Sequence, residues 1–335
     1  MGRGETAVRV LVTGGGGFLG GAIVRQLLAR GTEVRSFARG DYPELRERGV
    51  DVRRGDLADR EQVFSAVEGC DGIIHVAARA GVWGTWKQFW LPNVLGTRHI
   101  IEAARHHGVR RLVHTSTPSV VHGKGSIEGG DESLPYPSSY LANYPATKAE
   151  GERMGLAAND PELSTVVLRP HLIWGPGDPQ FLPRLIARSR AGKLAFVGDG
   201  NNKVDTTYIE DAARAHLLAL YRVEPGAACA GRAYFITQGE PWPIRDVING
   251  LLKASGAPQV TRTVKPWVAY LAGAVLEAGY RLLRRDSEPP MTRFVAHQIS
   301  TSHWYDISAA RRDLGYEPSV SIREGLESLA AAQVR

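Results

Sequence analysis

The sequence predicts an α/β fold, a doubly wound parallel sheet with a smaller, discontinuous C-terminal lobe. Three observations predict it. From residue 7 to about 170, β-rich apolar runs alternate with stretches of helical spacing. The first of these runs feeds a glycine-rich turn that opens into a helix. After Pro170 the alternation breaks, and glycine, proline and aromatic residues dominate 174–183.

Taken in order, Ala7–Val12 is a β-rich run that reads as a buried strand. It leads into Thr13-Gly14-Gly15-Gly16-Gly17-Phe18-Leu19-Gly20. The apolar residues of 22–28 then recur at helical spacing, and Gly31 ends that helix. Strand, glycine turn and helix together make a site for a dinucleotide pyrophosphate. The glycines permit close backbone approach, and the helix N-terminus offers free N–H groups. Two registers fit, Gly14-x-x-Gly17-x-x-Gly20 and Gly15-x-Gly17-x-x-Gly20. Further strands are expected at Glu33–Phe37, Val50–Arg53, Gly72–Val76, Arg111–Thr115 and Ser164–Arg169. Helices are expected at Glu61–Val67, Asn93–His106 and Lys148–Ala158. Residues 201–220 read as a return to the first domain. The expected division is therefore 1–170 plus about 201–238 for a Rossmann-type domain, and about 171–200 plus 239–335 for a substrate-binding lobe.

At 335 residues the chain can bury a large core. Cys70 and Cys229 supply neither a disulfide framework nor metal-ligand spacing, so no metal is expected. The stretch Met1–Thr6 has no signal-peptide core, and a cytoplasmic protein is expected. The net charge of +6 is scattered, with no basic run to suggest nucleic acid. Such a field still favours anionic ligands.

Tyr144 and Lys148 stand four residues apart, on one face if the segment is helical. An ammonium beside a phenol favours phenolate and lowers its pKa, which suits proton transfer to a carbonyl oxygen. The end of the second strand reads Phe37-Ala38-Arg39-Gly40, with no acid for ribose hydroxyls. Arg39 there suits the 2′-phosphate of NADP(H); the alternative is that Arg39 is solvated and Asp41 takes the ribose. Asp56 is placed either to bond the adenine amine or to cap the next helix.

Together these residues resemble the extended short-chain dehydrogenase/reductase family over almost the whole chain. The match includes the 13–20 turn, Asp56-Leu57, His75-Val76-Ala77-Ala78, Asn93-Val94-Leu95-Gly96-Thr97, Ser116-Thr117, Tyr144-x-x-x-Lys148 and Leu168-Arg169-Pro170. The resemblance implies that Tyr144 is the acid/base and that Lys148 lowers its pKa and bonds the nicotinamide ribose. It implies that Thr117 holds the substrate oxygen, with Ser116 as the alternative one residue away. It places Gly14, Gly17, Phe18, Leu19, Gly20, Arg39, Asp56, Leu57, Ala77, Ala78, Asn93, Pro170 and His171 along the cofactor; Asn93 serves either to position a water or structurally. Leu168–Gly177 and Trp304-Tyr305-Asp306-Ile307 resemble the 3β-hydroxysteroid dehydrogenase-like branch. Sugar-nucleotide relatives commonly carry arginine where Val204 precedes Asp205, which argues against that substrate class.

Within the branch the chain looks like bacterial reductases of long-chain olefin biosynthesis. That likeness implies NADPH-driven reduction of a long-chain β-keto acid, a 2-alkyl-3-oxoalkanoic acid, to the 2-alkyl-3-hydroxyalkanoic acid. The alternatives are a sterol 3-hydroxyl dehydrogenase, a sugar-nucleotide enzyme and a non-catalytic NADP(H) sensor. The resemblance also implies a homodimer and suggests assembly with other olefin-pathway enzymes. Finally, 266–276 is uncharged and shorter than the roughly 20 residues that span a bilayer. It reads as a helix buried in the lobe or an interface. The second reading is an amphipathic cover over an alkyl-chain pocket that touches membrane or a partner enzyme.

Overall fold

Seven parallel strands carry the molecule. The structure, a computed structural model, describes residues 8–123 and 125–333. Met1–Thr6 and Ala7, at the start of the expected first strand, lie outside the described residues. The first half runs β1 (Arg9–Thr13), α1 (Phe18–Leu28), β2 (Glu33–Ala38), α2 (Pro43–Glu47), β3 (Asp51–Arg54), α3 (Arg60–Val67) and β4 (Gly72–His75). Helix α4 (Trp86–Trp90), a π-helical turn (Leu91–Leu95) and α5 (Gly96–His106) follow. Then come β5 (Arg111–Thr115), β6 (Ile127–Gly130), α6 (Asn143–Ala157) and β7 (Ser164–Pro170). The rest comprises β8 (Ile173–Trp174), α7 (Phe181–Arg190), β9 (Phe196–Val197), β10 (Lys203–Val204), β11 (Thr207–Tyr208), α8 (Ile209–Arg222), β12 (Arg232–Ile236), β13 (Trp242–Pro243), α9 (Ile244–Ala254), β14 (Thr263–Val264), α10 (Pro266–Leu282), α11 (Arg293–Gln298), β15 (His303–Tyr305), α12 (Ser308–Leu314) and α13 (Ile322–Gln333).

The main sheet has the order β12-β7-β5-β4-β1-β2-β3, parallel throughout. The expected doubly wound α/β fold is present. Its strands are apolar on both faces because helices cover both. Val10 and Val12 join one fully buried cluster with α1 and α8, while Leu11 joins the other with α3 and α5. The strand order reverses between β1 and β4, so the crevice for a ligand opens at their C-terminal ends.

A second sheet, β13-β10-β15-β6, ties residues 127–130 and 203–204 to the C-terminal 303–305. These strands span two to four residues, and their pairing is set by the surrounding fold.

Helix α10 departs from the expectation that 266–276 is buried in the lobe. Within the chain it is not a buried helix. Only Ala269, Gly273 and Glu277 are buried, one narrow stripe four residues apart. Trp267, Leu271, Val275 and Leu282 stand exposed on its other sides. The stripe fits closely, because a Cβ on Gly273 would lie 2.6 Å from the Thr292 carbonyl carbon. Among the described residues no helix is long and apolar enough to cross a membrane.

Candidate active site

The glycine turn has the shape that a pyrophosphate needs. Gly14 takes φ +71°, a conformation disfavoured for side-chain-bearing residues. A Cβ on Gly20 would lie 2.0 Å from the Gly14 carbonyl oxygen, so α1 can lie against the turn only with glycine there. Gly17 is the N-cap of α1, with no side-chain cap and no acid in the first turn. The helix N-terminus is therefore left to an anion. Gly15 is equally confined, since a Cβ there would lie 2.5 Å from Ser36 Oγ, so the backbone accommodates both registers. Phe18 and Leu19 open the helix, and Leu19 is buried in the core. Tyr42 lies over the turn, its ring within 2.3 Å of where a Gly16 Cβ would be.

Across the crevice, Thr13 organises the end of β4. Its hydroxyl accepts from the Val76 and Ala77 amides, each at 3.0 Å, and meets His75 Nδ1 at 2.8 Å. Ala77 is thereby held against Gly14, and Ala78 follows. Asn93 sits in the π-helical turn, a feature frequent at functional sites. It is buried, accepts from the Arg79 amide at 2.8 Å, and donates to the Arg79 carbonyl and the Thr147 hydroxyl. It thus ties the loop after β4 to α6.

The far edge of the crevice carries Arg39, Asp56 and Leu57. Arg39 is exposed, and its carbonyl accepts from Arg54 Nε at 3.0 Å. Asp41 is engaged by Arg46 at 2.5 Å. Asp56 does not cap α3: Asp59 does so by accepting from the Gln62 amide. Asp56 instead accepts from the Ala58 amide in its own turn. Leu57 is buried against Gly96.

Helix α6 begins at Asn143, five residues earlier than expected, so Tyr144 and Lys148 do share one helix at i,i+4. Lys148 is buried and donates to the Thr115 carbonyl at 2.6 Å. Burial lowers it to about 8, while the Glu152 carboxylate raises it. Tyr144 departs from the expectation that the lysine lowers its pKa. Burial raises the phenol above its ordinary value, and the hydrogen bond with Thr117 partly offsets this. Desolvation is the dominant effect on the phenol, and the ammonium donates to the Thr115 carbonyl. Thr117 also meets Ser119 Oγ at 3.1 Å. The Ser116 hydroxyl is buried and has no partner among the described residues. The structure therefore brings Thr117, Tyr144 and Lys148 together at the end of β5.

Pro170 ends β7, and the next amide, His171, donates to the Ile236 carbonyl at 3.2 Å. His171 Nδ1 is buried without a partner among the described residues. Burial lowers His171 to about 4, so it is neutral at pH 7.

One supporting group was missed from sequence. Glu152 is wholly buried, takes a bidentate contact from Arg169 (2.5 and 3.2 Å) and accepts from Tyr136 at 2.6 Å. This ion pair clamps α6 to β7. The one signal in the sequence was a carboxylate one helical turn after Lys148.

The family model for the 3-beta hydroxysteroid dehydrogenase/isomerase family matches residues 11–266. A 2-alkyl-3-oxoalkanoate reductase of Stenotrophomonas maltophilia is 54% identical, covering 97% of this chain and 99% of that protein. A 2-alkyl-3-oxoalkanoate reductase of Shewanella oneidensis is 48% identical, covering 96% and 85%. Among solved structures, MoeE5 in complex with UDP-glucuronic acid and NAD superposes with a TM-score of 0.74 at 26% identity, covering 98% of this chain and 99% of that one.

Proposed function

The chain belongs to the 3-beta hydroxysteroid dehydrogenase/isomerase family, and we propose that it reduces a long-chain 2-alkyl-3-oxoalkanoic acid to the 2-alkyl-3-hydroxyalkanoic acid with NADPH. It is an oxidoreductase of a family that uses nicotinamide cofactors. The observation that carries the proposal is the convergence of the Thr117 hydroxyl, the Tyr144 phenol and the Lys148 ammonium at the end of β5. The names of the relatives supply the substrate class.

The residues fit the cofactor. The cradle of Gly14, Gly17 and Gly20 at the bare N-terminus of α1 would hold its pyrophosphate. Phe18 and Leu19 begin the helix beneath it. Ala77, Ala78 and Asn93 would line the near side, Asp56 and Leu57 the adenine end, and Pro170 and His171 the nicotinamide end. Exposed Arg39, with no acid at the end of β2, supports NADPH over NADH. When bound, the cofactor supplies a hydride to the ketone carbon.

The chain's own groups do the rest. Thr117 and Tyr144 hydrogen-bond the ketone oxygen, and Tyr144 gives it a proton as negative charge develops. The phenol keeps its proton at neutral pH and so has one to give, and the Thr117 bond, which draws its raised pKa back down, favours the transfer. Preorganised donors stabilise the forming alkoxide, each typically contributing about 10²–10³ in rate. Lys148, fixed on the Thr115 carbonyl, orients the ribose.

The proposal extends to organisation. The cofactor domain comprises 1–170 and about 201–238, and the remainder forms the substrate lobe. The protein dimerises through α5 and α6. The exposed apolar sides of α10 contact membrane or another enzyme of the same pathway.

The test is NADPH oxidation by wild type and Tyr144→Phe, with long-chain β-keto acids, sterols and UDP-sugars as substrates. The expected result is turnover of the β-keto acid alone, nearly abolished in Tyr144→Phe while NADPH binding is intact. Substantial turnover by Tyr144→Phe would remove Tyr144 as the acid. Turnover of sterols or UDP-sugars in place of the β-keto acid would reassign the substrate.

A further inference from the structure

A cavity of about 660 Å³ lies between the 82–85 turn, the Tyr140–Asn143 approach to α6, and the end of α10. Asn143, the residue before Tyr144, lines it, so the cavity opens beside the catalytic helix. Its walls divide by chemistry. Trp83, Tyr140, Tyr280 and Phe294 supply aromatic surface. Arg281, Arg284, Arg285 and Arg293 supply four guanidiniums, against the carboxylates of Glu277 and Asp286.

Glu277 is already committed. It is buried, accepts from the Arg293 amide and guanidinium at 2.7–3.0 Å, and takes Arg281 at 3.5 Å. Arg281 also lies over Trp83 at 5.6 Å, and Arg285 over Tyr280 at 5.6 Å. Among the described residues, Arg284 and Arg285 have no ion pair with a carboxylate. Arg284 has a second peculiarity. It sits just past the end of α10 with φ +49°, where helices usually place glycine. A non-glycine residue there costs about 1–2 kcal/mol. The sequence accepts that strain to set a guanidinium at the cavity's rim.

We propose that Arg284 and Arg285 capture the carboxylate of the substrate at this cavity before the ketone reaches Tyr144, with the alkyl tails against the aromatic wall. This rests on the reductase reading and deepens it. A β-keto acid readily loses CO₂ to give a ketone that keeps the reducible carbonyl. The ketone centre alone cannot tell acid from ketone; a guanidinium pair can, because only the acid carries an anion for it. The site would thus select intact acid over its decarboxylation product.

The experiment measures binding of a 2-alkyl-3-hydroxyalkanoic acid, which is stable, and of the secondary alcohol of the same skeleton without the carboxyl. Wild type, Arg284→Gly and Arg285→Gln are compared, alongside NADPH-driven reduction of the β-keto acid by wild type. Each variant is expected to lose about tenfold in affinity for the acid, as for one charge-assisted hydrogen bond. The preference for acid over alcohol falls with it. Arg284→Gly should keep or raise the melting temperature, since glycine relieves the backbone strain, so lost binding there is not lost folding. If wild type reduces the β-keto acid and both variants keep its preference for acid, the inference fails and the reductase reading stands. Equal losses for acid and alcohol would also overturn it, because the arginines would then only shape the wall. If wild type does not reduce the β-keto acid, the reductase reading fails and takes the inference with it.

Discussion

Replacing Glu152 with glutamine isolates one charge at nearly constant volume. In the native chain Glu152 and Arg169 are both almost wholly buried, with oxygen and nitrogen 2.5 Å apart. The variant leaves the guanidinium unpaired between α6 and β7. Breaking one side of such a pair costs about 3–5 kcal/mol. For 335 residues the entropy of melting is about 0.7 kcal/mol per kelvin, so the melting temperature should fall by about 4–7 °C. A second effect separates this clamp from a merely structural one. The Glu152 carboxylate raises Lys148, which burial otherwise lowers to about 8. Without it the ammonium deprotonates at lower pH, and the basic limb of the kcat/KM profile should move down. Calorimetry and a pH–rate series read the two effects. The double variant Glu152→Gln, Arg169→Met should regain much of the stability, since no charge is then stranded. A drop below about 2 °C together with an unmoved basic limb would refute the reasoning.

Three further outcomes follow from the site. Gly20→Ala should abolish nucleotide binding and lower the melting temperature, because its Cβ meets the Gly14 carbonyl at 2.0 Å. Gly21→Ala, with 3.5 Å to its nearest neighbour, should be tolerated, and calorimetric titration of NADPH distinguishes the two. Arg39→Ala should weaken NADPH binding and leave NADH little changed; equal losses would refute a 2′-phosphate role. Acid should destabilise the fold early. Burial lowers His75 and His122 to about 3 and His171 and His216 to about 4, against about 6.5 in the unfolded chain. The unfolded state therefore protonates first. Stability is full above pH 6.5 and falls toward pH 4, by up to about 1.4 kcal/mol per pH unit for each histidine. Asp205, raised to about 6 by burial, acts in the opposite sense and offsets one of the four. Urea midpoints that stay flat from pH 7 to 5 would contradict this.

The parts of the fold that were legible in sequence are those decided locally. The strand, glycine turn and helix of 9–28 form one uninterrupted unit, and their residues announce it. The errors fall where distant contacts decide. The expected helix starts at Lys148, yet α6 begins at Asn143 with Pro145 in its first turn, where a proline's missing N–H costs nothing. The expected helix from Asn93 likewise misses α4 and the start of the π-helical turn in which Asn93 sits. The sheet β13-β10-β15-β6 joins strands too short to show periodicity. Glu152 and Arg169 are seventeen residues apart, and only the packing of α6 on β7 reveals them as partners. The apolar composition of α10 suggested burial, but composition does not say whether a neighbour exists to cover each side.

The proposed donor role of Tyr144 rests on a different physical ground from the one its spacing suggested. Spacing suggested a lysine that lowers the phenol's pKa. In the folded chain the lysine spends its hydrogen bond on Thr115, and burial raises the phenol. A phenol that keeps its proton is a poor base for alcohol oxidation and has a proton to give to a forming alkoxide, although burial alone makes it a weaker acid. The Thr117 bond then matters twice. It draws the phenol back toward its ordinary pKa, and in the proposed reaction it keeps the two donors side by side. In the proposed reaction the ketone would meet two donors already oriented by β5 and α6, leaving little to reorganise at the moment of reaction.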